Sequence, residues 1–341
     1  MKRQIAKILC VGLLILGGYS VASAAPVYLA DGTLPMWSPD GAKIAYGNHQ
    51  IYTINKDGTA RLQLTNITAH PNLGERNAWG PQYRPGSNQL YYMDQDYDLT
   101  SAVYSRLNWI DIGGTGQGGV VQSFSAFEYV SPVRFSRFGS HYTYMYEYDM
   151  SGSSLFSGPE IRIASVNGGF QIVKNSYMGL DYIKHTLGGV VTWRTGASSD
   201  KLAYTKHINA SDDGIWSIYT VNTDSTGETR ITDSAFGDVF SWINWSPDGN
   251  TLIFSYLSDI WTLGLIDDQL TQITNDAYND NYAVFSPDGL SIAYTSIRDG
   301  QSEIYLLDLD ADPDPVPEPT TMLLLGLGLM GLAGMRRKLQ K

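Results

Sequence analysis

The feature that most constrains this chain is a pentapeptide that returns. Trp37-Ser38-Pro39-Asp40-Gly41 recurs as Trp245-Ser246-Pro247-Asp248-Gly249 and as Phe285-Ser286-Pro287-Asp288-Gly289. Degenerate copies stand between them: Tyr83-Arg84-Pro85-Gly86, Phe135-Ser136-Arg137-Phe138-Gly139 and Trp193-Arg194-Thr195-Gly196. The six copies begin at 37, 83, 135, 193, 245 and 285, so the spacings are 46, 52, 58, 52 and 40 residues. Self-similarity at such a period belongs to repeat architectures, in which each unit is one supersecondary element.

Every copy reads as a strand, a tight turn and a second strand. Proline presets φ, and Asp and Gly accept the reversal, so the chain doubles back as a hairpin. The second strands are centred on or closed by an aromatic: Ile44-Ala45-Tyr46, Leu90-Tyr91-Tyr92, Thr143-Tyr144-Met145, Leu202-Ala203-Tyr204, Leu252-Ile253-Phe254 and Ile292-Ala293-Tyr294. Third strands follow, such as Ile51-Tyr52-Thr53-Ile54 and Ile304-Tyr305-Leu306-Leu307. Fourth strands follow in turn, among them Leu62-Gln63-Leu64-Thr65, Arg230-Ile231-Thr232 and Gln272-Ile273-Thr274. Val120-Val121 and Gln171-Ile172-Val173 are poorer copies. Four short antiparallel strands per repeat describe propeller blades, and six repeats predict an all-β, six-bladed ring. The sixth repeat lacks a fourth strand, whereas Val27-Tyr28-Leu29-Ala30 has no repeat of its own. This N-terminal strand is expected to complete the last blade and remove its open edge.

The aromatic-Ser-Pro-Asp-Gly, Ile-Ala-Tyr, Ile-Tyr succession resembles the TolB-type repeat, a WD-like propeller family, over about residues 27 to 309. The resemblance implies the fold. TolB carries an additional α/β domain before its propeller and this chain has no room for one, so TolB's role with its envelope partners does not transfer.

The two ends are addressed differently. Lys2, Arg3 and Lys7 precede an apolar run from Ile8 to Gly18, and Ala22-Ser23-Ala24 supplies a small-residue cleavage pattern. These mark residues 1–24 as a secretory signal for a signal peptidase. The single Cys10 lies inside that run, leaving the mature chain without cysteine chemistry. At the other end, an acidic, Pro-rich linker over 310–319 leads into a helix and tail over 320–341. Pro317, Glu318 and Pro319 are followed by an apolar run from Met322 to Met335 and by Arg336, Arg337 and Lys338. The run is shorter than the roughly 20 residues of a permanent span, which predicts transient membrane insertion. The order of parts resembles the PEP-CTERM sorting signal of Gram-negative bacteria. That resemblance implies recognition by an exosortase and delivery to the cell envelope, surface or extracellular matrix.

Between the ends, a propeller domain over 25–309 is expected. Seven of the 23 basic residues belong to the terminal segments, so 16 face the chain's 34 acids. Such a body repels phosphate backbones and excludes nucleic acid as a partner. Ligands are expected at a channel mouth, where loops from all blades converge. The segments before the first strands supply candidates: Glu75, Arg76 and Asn77; Asp238; and Asn279, Asp280 and Asn281. The six repeat aromatics are expected to pack between blades. In the alternating stripe His141 to Tyr148, Tyr146 and Tyr148 are candidates for stacking on sugar rings beyond the core. Asp94, Asp96 and Asp98 form an acidic run, read as a loop, that offers oxygens to Ca²⁺, as does the run Asp308 to Asp314. No cofactor is required by any motif.

Catalytic patterns are thin. Ser198-Ser199-Asp200-Lys201 has Ser-x-x-Lys spacing in a hairpin turn, and five histidines are scattered among the repeats. These observations predict an exported, non-catalytic module that binds a polysaccharide or an envelope protein. The alternative is a polysaccharide lyase or glycan hydrolase built on the same scaffold.

Overall fold

The computed structural model describes residues 25–68, 73–98, 103–125, 128–148, 157–175, 181–183, 191–194, 201–208, 215–232 and 241–310. The signal segment, the linker beyond residue 310 and the sorting helix lie outside these, as do Ser198 to Asp200.

Six antiparallel sheets follow one another along the chain. Blade one runs Thr33–Trp37, Lys43–Asn48, Gln50–Asn55 and Leu62–Gln63 from the inside outward. The innermost strands touch one another in cyclic order, the sixth meeting the first, so the ring is closed. Closure is made as the repeat pattern requires. Val27–Asp31 pairs antiparallel with Gln301–Asp308 as the outer strand of blade six, with Val27 opposite Leu306 and Asp31 opposite Glu303.

Apolar side chains are buried at consecutive positions along the second strands, because both faces of each sheet are covered by neighbouring blades. Among the described residues, one buried cluster fills each of the six interfaces. The repeat aromatics Trp37, Tyr83, Phe135, Trp193 and Trp245 are buried in these clusters, and Phe285 packs against one. Tyr46, Tyr144, Tyr204, Phe254 and Tyr294, from the second strands, are among the largest fully buried side chains. Burying a side chain of this size contributes about 1.5–3 kcal/mol, which accounts for an aromatic in every repeat.

The Ser-Pro-Asp-Gly turn is held by its own side chains. Ser38 Oγ donates to Asp40 Oδ1 at 2.5 Å, Asp40 Oδ1 accepts from the amide of Ala42, and Ser38 Oγ accepts from the amide of Lys43. The same three contacts recur at Ser246 and Asp248 and at Ser286 and Asp288. The serine hydroxyl first, then the backbone amide, holds each carboxyl below the ordinary aspartate value of 3.8. A lowered folded value means a contribution that is complete above about pH 4 and lost as pH falls through it. Changing Asp40, Asp248 and Asp288 together to Asn is expected to lower the midpoint of thermal unfolding at neutral pH. The same change should flatten its decline between about pH 5 and pH 2.5. An unchanged acid slope would remove the turns from the account.

The outer strands differ from expectation in a consistent way. Leu62–Gln63, Thr229–Arg230 and Leu270–Gln272 end before the Leu-Thr or Ile-Thr pair read as strand. Thr65, Thr232 and Thr274 instead accept, through Oγ1, the amides of Ile51, Ile218 and Ile260 of the third strands at 2.9 Å. The poorer copies form the longer outer strands, Gly118–Phe124 and Phe170–Asn175, paired with the third strands Val103–Asp111 and Ser157–Ser165.

The innermost strands carry a device that the repeat pattern conceals. Four of them shift register just before the motif, between Thr33 and Met36, Trp79 and Gln82, Ser241 and Asn244, and Asn281 and Val284. At each bulge one residue, three before the motif aromatic, is left-handed: Leu34 (φ 59°), Gly80 (φ 60°), Trp242 (φ 52°) and Tyr282 (φ 60°). A bulge re-aims its side chain, and here Leu34 and Trp242 meet with Trp79 and Tyr282 in a cluster drawn from four blades. Gly80 is the one member without a side chain. A Cβ there would come within 3.0 Å of Pro132, which holds the same repeat position in blade three. Proline cannot take positive φ, and there the inner strand is divided into Glu128–Val130 and Arg134–Phe135.

Candidate functional site

Each inner strand ends at its motif aromatic, and the six lie around the ring axis. At their C-terminal ends they enclose a cavity of about 630 Å³, lined from every blade. Pro39, Pro85, Pro247 and Pro287 stand at its rim, and Trp37, Phe135, Trp193, Trp245 and Phe285 form an aromatic wall. The repeat aromatics therefore do two things: they fill the interfaces, as expected, and all but Tyr83 also line the axial cavity.

The position before each aromatic also lines the cavity: Met36, Gln82, Arg134, Thr192, Asn244 and Val284. Asn244 Nδ2 donates to the carbonyl of Ala283, and Trp245 Nε1 donates to that of Thr192. Arg134 is the charged member of this tier and is only 4% exposed. Its Nη1 donates to Gln82 Oε1 at 3.2 Å and to the carbonyl of Val133 at 3.1 Å. The guanidinium lies 4.4 Å from the centre of the Trp242 ring, which ties this tier to the four-blade cluster. Burial pulls the guanidinium down to about 9.

Two further arginines border the cavity, Arg137 and Arg194, and its described lining contains no Asp, Glu, His or Lys. Arg194 replaces the motif serine and crosses to the next blade, donating from Nε to the carbonyl of Gly249 at 2.8 Å. Arg84 repeats this contact to Gly139 at 3.0 Å. Donors without acceptors accumulate around the axis: Nε1 of Trp37, Trp79, Trp193 and Trp242, together with Nε and Nη2 of Arg134.

The residues singled out in the sequence lie elsewhere. Glu75, Arg76 and Asn77, and Asn279, Asp280 and Asn281, belong to the N-terminal parts of their inner strands, away from the cavity lining. Arg76 and Asn77 lie on the strand Leu73–Tyr83, where Asn77 Oδ1 is hydrogen-bonded to His49 Nδ1 at 2.6 Å. Glu75 shares that strand, but its side chain lies outside the described set, as does all of Asp238. Asn279 accepts a hydrogen bond from Asn281. Asp280 is fully buried; burial pushes its carboxyl upward, and together with Asp276 it assists the burial that raises Asp259 to about 6.

Two expectations need correction. Asp94, Asp96 and Asp98 are not in a loop but on the strand Gln89–Asp98, because the second hairpin extends well past its repeat core. Asp94 and Asp96 are buried between two guanidiniums. Arg76 reaches Asp94 at 2.5 Å and Asp96 at 3.0 Å, and Arg106 reaches Asp94 at 3.3 Å and also pairs with Asp96. Their charge is met by cations of the chain itself. Among the described residues no three His, Cys, Asp or Glu side chains gather as a metal site. Nor does Tyr146 extend past the core. It is 9% exposed, donates to Glu128 Oε1 at 2.6 Å and carries Arg162 over its ring at 3.3 Å, so that face is already covered. The Tyr148 side chain lies outside the described residues.

Arg134 escaped sequence reading because it precedes a degenerate motif copy. The one available signal was its alignment, since the other five residues before a motif aromatic, Met36, Gln82, Thr192, Asn244 and Val284, are uncharged.

The chain matches the PEP-CTERM protein-sorting motif over residues 315–338, a segment that holds Pro317, Glu318, Pro319, Arg336 and Arg337. The motif marks the chain for export to the cell envelope or surface and implies exosortase-mediated processing. Residues 199–321 match the dipeptidyl peptidase IV N-terminal region. Among solved structures, the chain is similar to an oligogalacturonate lyase in complex with manganese, at TM-score 0.55 and 13% identity over 82% of this chain and 77% of that one. It is similar to TolB from Acinetobacter baumannii at TM-score 0.52 and 13% identity, over 82% and 63% of the two chains. A putative TolB from Agrobacterium tumefaciens gives TM-score 0.50 and 17% identity, over 74% and 79%. At these identities the likeness is one of fold. Among the described residues no helix is long and apolar enough to cross a membrane.

Proposed function

We propose that this exported, TolB-like propeller is a non-catalytic module that binds a polysaccharide of the cell surface through its axial cavity. The observation that carries the reading is the cavity wall: five aromatic residues line one space, and three of its lining residues, Trp37, Trp193 and Arg134, hold buried N–H groups without an acceptor. Aromatic faces stack on sugar rings, and N–H groups supply what hydroxyl and carboxyl oxygens accept. Acid–base cleavage of a glycosidic bond requires a titratable side chain within reach of the bond. The described lining offers arginines, amides and hydroxyls but no carboxylate or imidazole, which favours holding a chain over cutting it. The sorting motif delivers the module to the compartment where such polymers lie.

Affinity electrophoresis of the mature protein through gels containing the producer's surface polysaccharide tests this. Retardation is expected, with no new reducing or unsaturated ends after prolonged incubation. Chain cleavage would turn the reading to the lyase or hydrolase alternative. Free migration in the polysaccharide gel, with retention on immobilised envelope proteins, would make the partner a protein.

A further inference from the structure

The donor pattern around Arg134 identifies a chemistry narrower than sugar in general. The side-on edge of a guanidinium consists of Nε–H and the outer Nη2–H, a parallel pair that matches the two oxygens of one carboxylate. In Arg134 this edge is the unsatisfied one, while Nη1 is already held by Gln82 and Val133. Arginine residues buried in folded proteins are ordinarily paired with carboxylates. Among the described residues Arg134 has no such partner, and its guanidinium rests on the face of Trp242 instead. Its neighbours in the tier are neutral, and the nearby charged side chains of the lining, Arg137 and Arg194, carry the same sign. A chain of net charge −11 thus keeps a carboxylate-free, cationic, aromatic-walled space on its axis.

We propose that the axial cavity is a carboxylate site, in which Nε and Nη2 of Arg134 receive the carboxylate of a uronic acid while the aromatic wall holds its ring. The proposal rests on the reading of the cavity as a saccharide site and adds the acidic residue of the polymer as the recognised unit. The fork lies beneath the aromatic tier, and side-chain rotation of the kind common on binding uncovers it. Trp37 and Trp193 supply further N–H groups for the oxygens of the same ring. The surface repels an acidic polymer at long range, so recognition is confined to a short segment or chain end that enters the mouth.

Arg134 then has a signature opposite to that of a structural residue. An unpaired buried charge opposes folding, so an isosteric apolar replacement does not destabilise the empty protein. The experiment is thermal unfolding of the mature protein with galacturonate, glucuronate, glucose, acetate or a peptide bearing a free C-terminus. The expected result is a rise in midpoint with the uronates, none with glucose, and a weaker response to acetate. Arg134→Met is expected to unfold at an equal or higher temperature than the parent when empty and to lose the uronate shift. Arg134→Lys, which keeps the charge but not the fork, is expected to weaken uronate binding at least about tenfold.

Several outcomes overturn the proposal. A lower midpoint for empty Arg134→Met, with no uronate effect on the parent, makes the guanidinium structural. Equal binding of glucose and uronate removes the carboxylate while leaving the polysaccharide reading intact. Equal binding of acetate and uronate, without retardation in polysaccharide gels, leaves an anion site and removes the saccharide. Preference for the peptide makes the occupant a protein terminus.

Discussion

A mature chain that begins after Asp31 is expected to lose cooperative folding. Val27–Asp31 supplies the outer strand of blade six, and Gly32 extends the pairing by donating from its amide to the carbonyl of Ser302 at 2.8 Å. Leu29 and Ala30 are each 7% exposed and join Trp37, Ile44 and Tyr46 of blade one in the interface with blade six. Tyr28 meets Tyr305 edge-on at 5.9 Å. Loss of one buried leucine and several backbone hydrogen bonds removes about 5 kcal/mol, the lower end of the whole stability of a typical domain. The strand Gln301–Asp308 also becomes an open edge, a template for pairing between molecules. Urea unfolding and size-exclusion chromatography are expected to show a broad, early transition and soluble aggregates. A permuted chain carrying residues 25–31 after Asp310 through a short Gly-Ser linker is expected to recover the parent's midpoint. A truncated chain that unfolds like the parent would show that closure of the ring does not depend on this strand.

The second large effect is expected at the paired arginines and aspartates of blade two. Asp94 is 2% and Asp96 5% exposed, and both depend on Arg76 and Arg106 for compensation. Removal of one partner from a buried ion pair leaves an uncompensated charge, and Arg106→Ala is expected to cost about 3 kcal/mol. The contact lies on two adjacent hairpins, so the loss should appear in the urea midpoint without a change in slope. Combining Arg106→Met with Asp96→Asn is expected to restore most of it, because the double change removes the charge along with its partner. With both carboxylates engaged by guanidiniums, millimolar Ca²⁺ should leave the parent's midpoint unchanged. A rise reversed by chelation would show instead that a cation competes for Asp94 and Asp96. A negligible effect of Arg106→Ala would mean that Arg76 alone suffices.

The axial bulges tie the architecture to the site. Leu34, Trp242 and Tyr282 hold left-handed backbone that bulky residues seldom adopt, and such strain persists only where surrounding structure imposes it. Here it directs the Leu34 and Trp242 side chains into one cluster with Trp79 and Tyr282, drawn from four blades. Arg134 rests on the Trp242 ring of that cluster, so blade five positions a charge that blade three provides.

Sequence alone sufficed wherever the rule is local. Turn chemistry at Ser38-Pro39-Asp40-Gly41, the aromatic that returns in each second strand and a fourth strand missing from the last repeat defined six blades and the strand that closes them, since each depends on residues adjacent in the chain. Tertiary structure decided everything that depends on which repeats meet. The burial of Tyr146 under Arg162, the pairing of Arg76 and Arg106 with Asp94 and Asp96, and the isolation of Arg134 among neutral neighbours all depend on strand register and on distances across the ring. A charge in water and a charge on a closed axis are the same letter in a sequence. Only the arrangement of the other five blades determines how much water and how many counter-charges that letter meets.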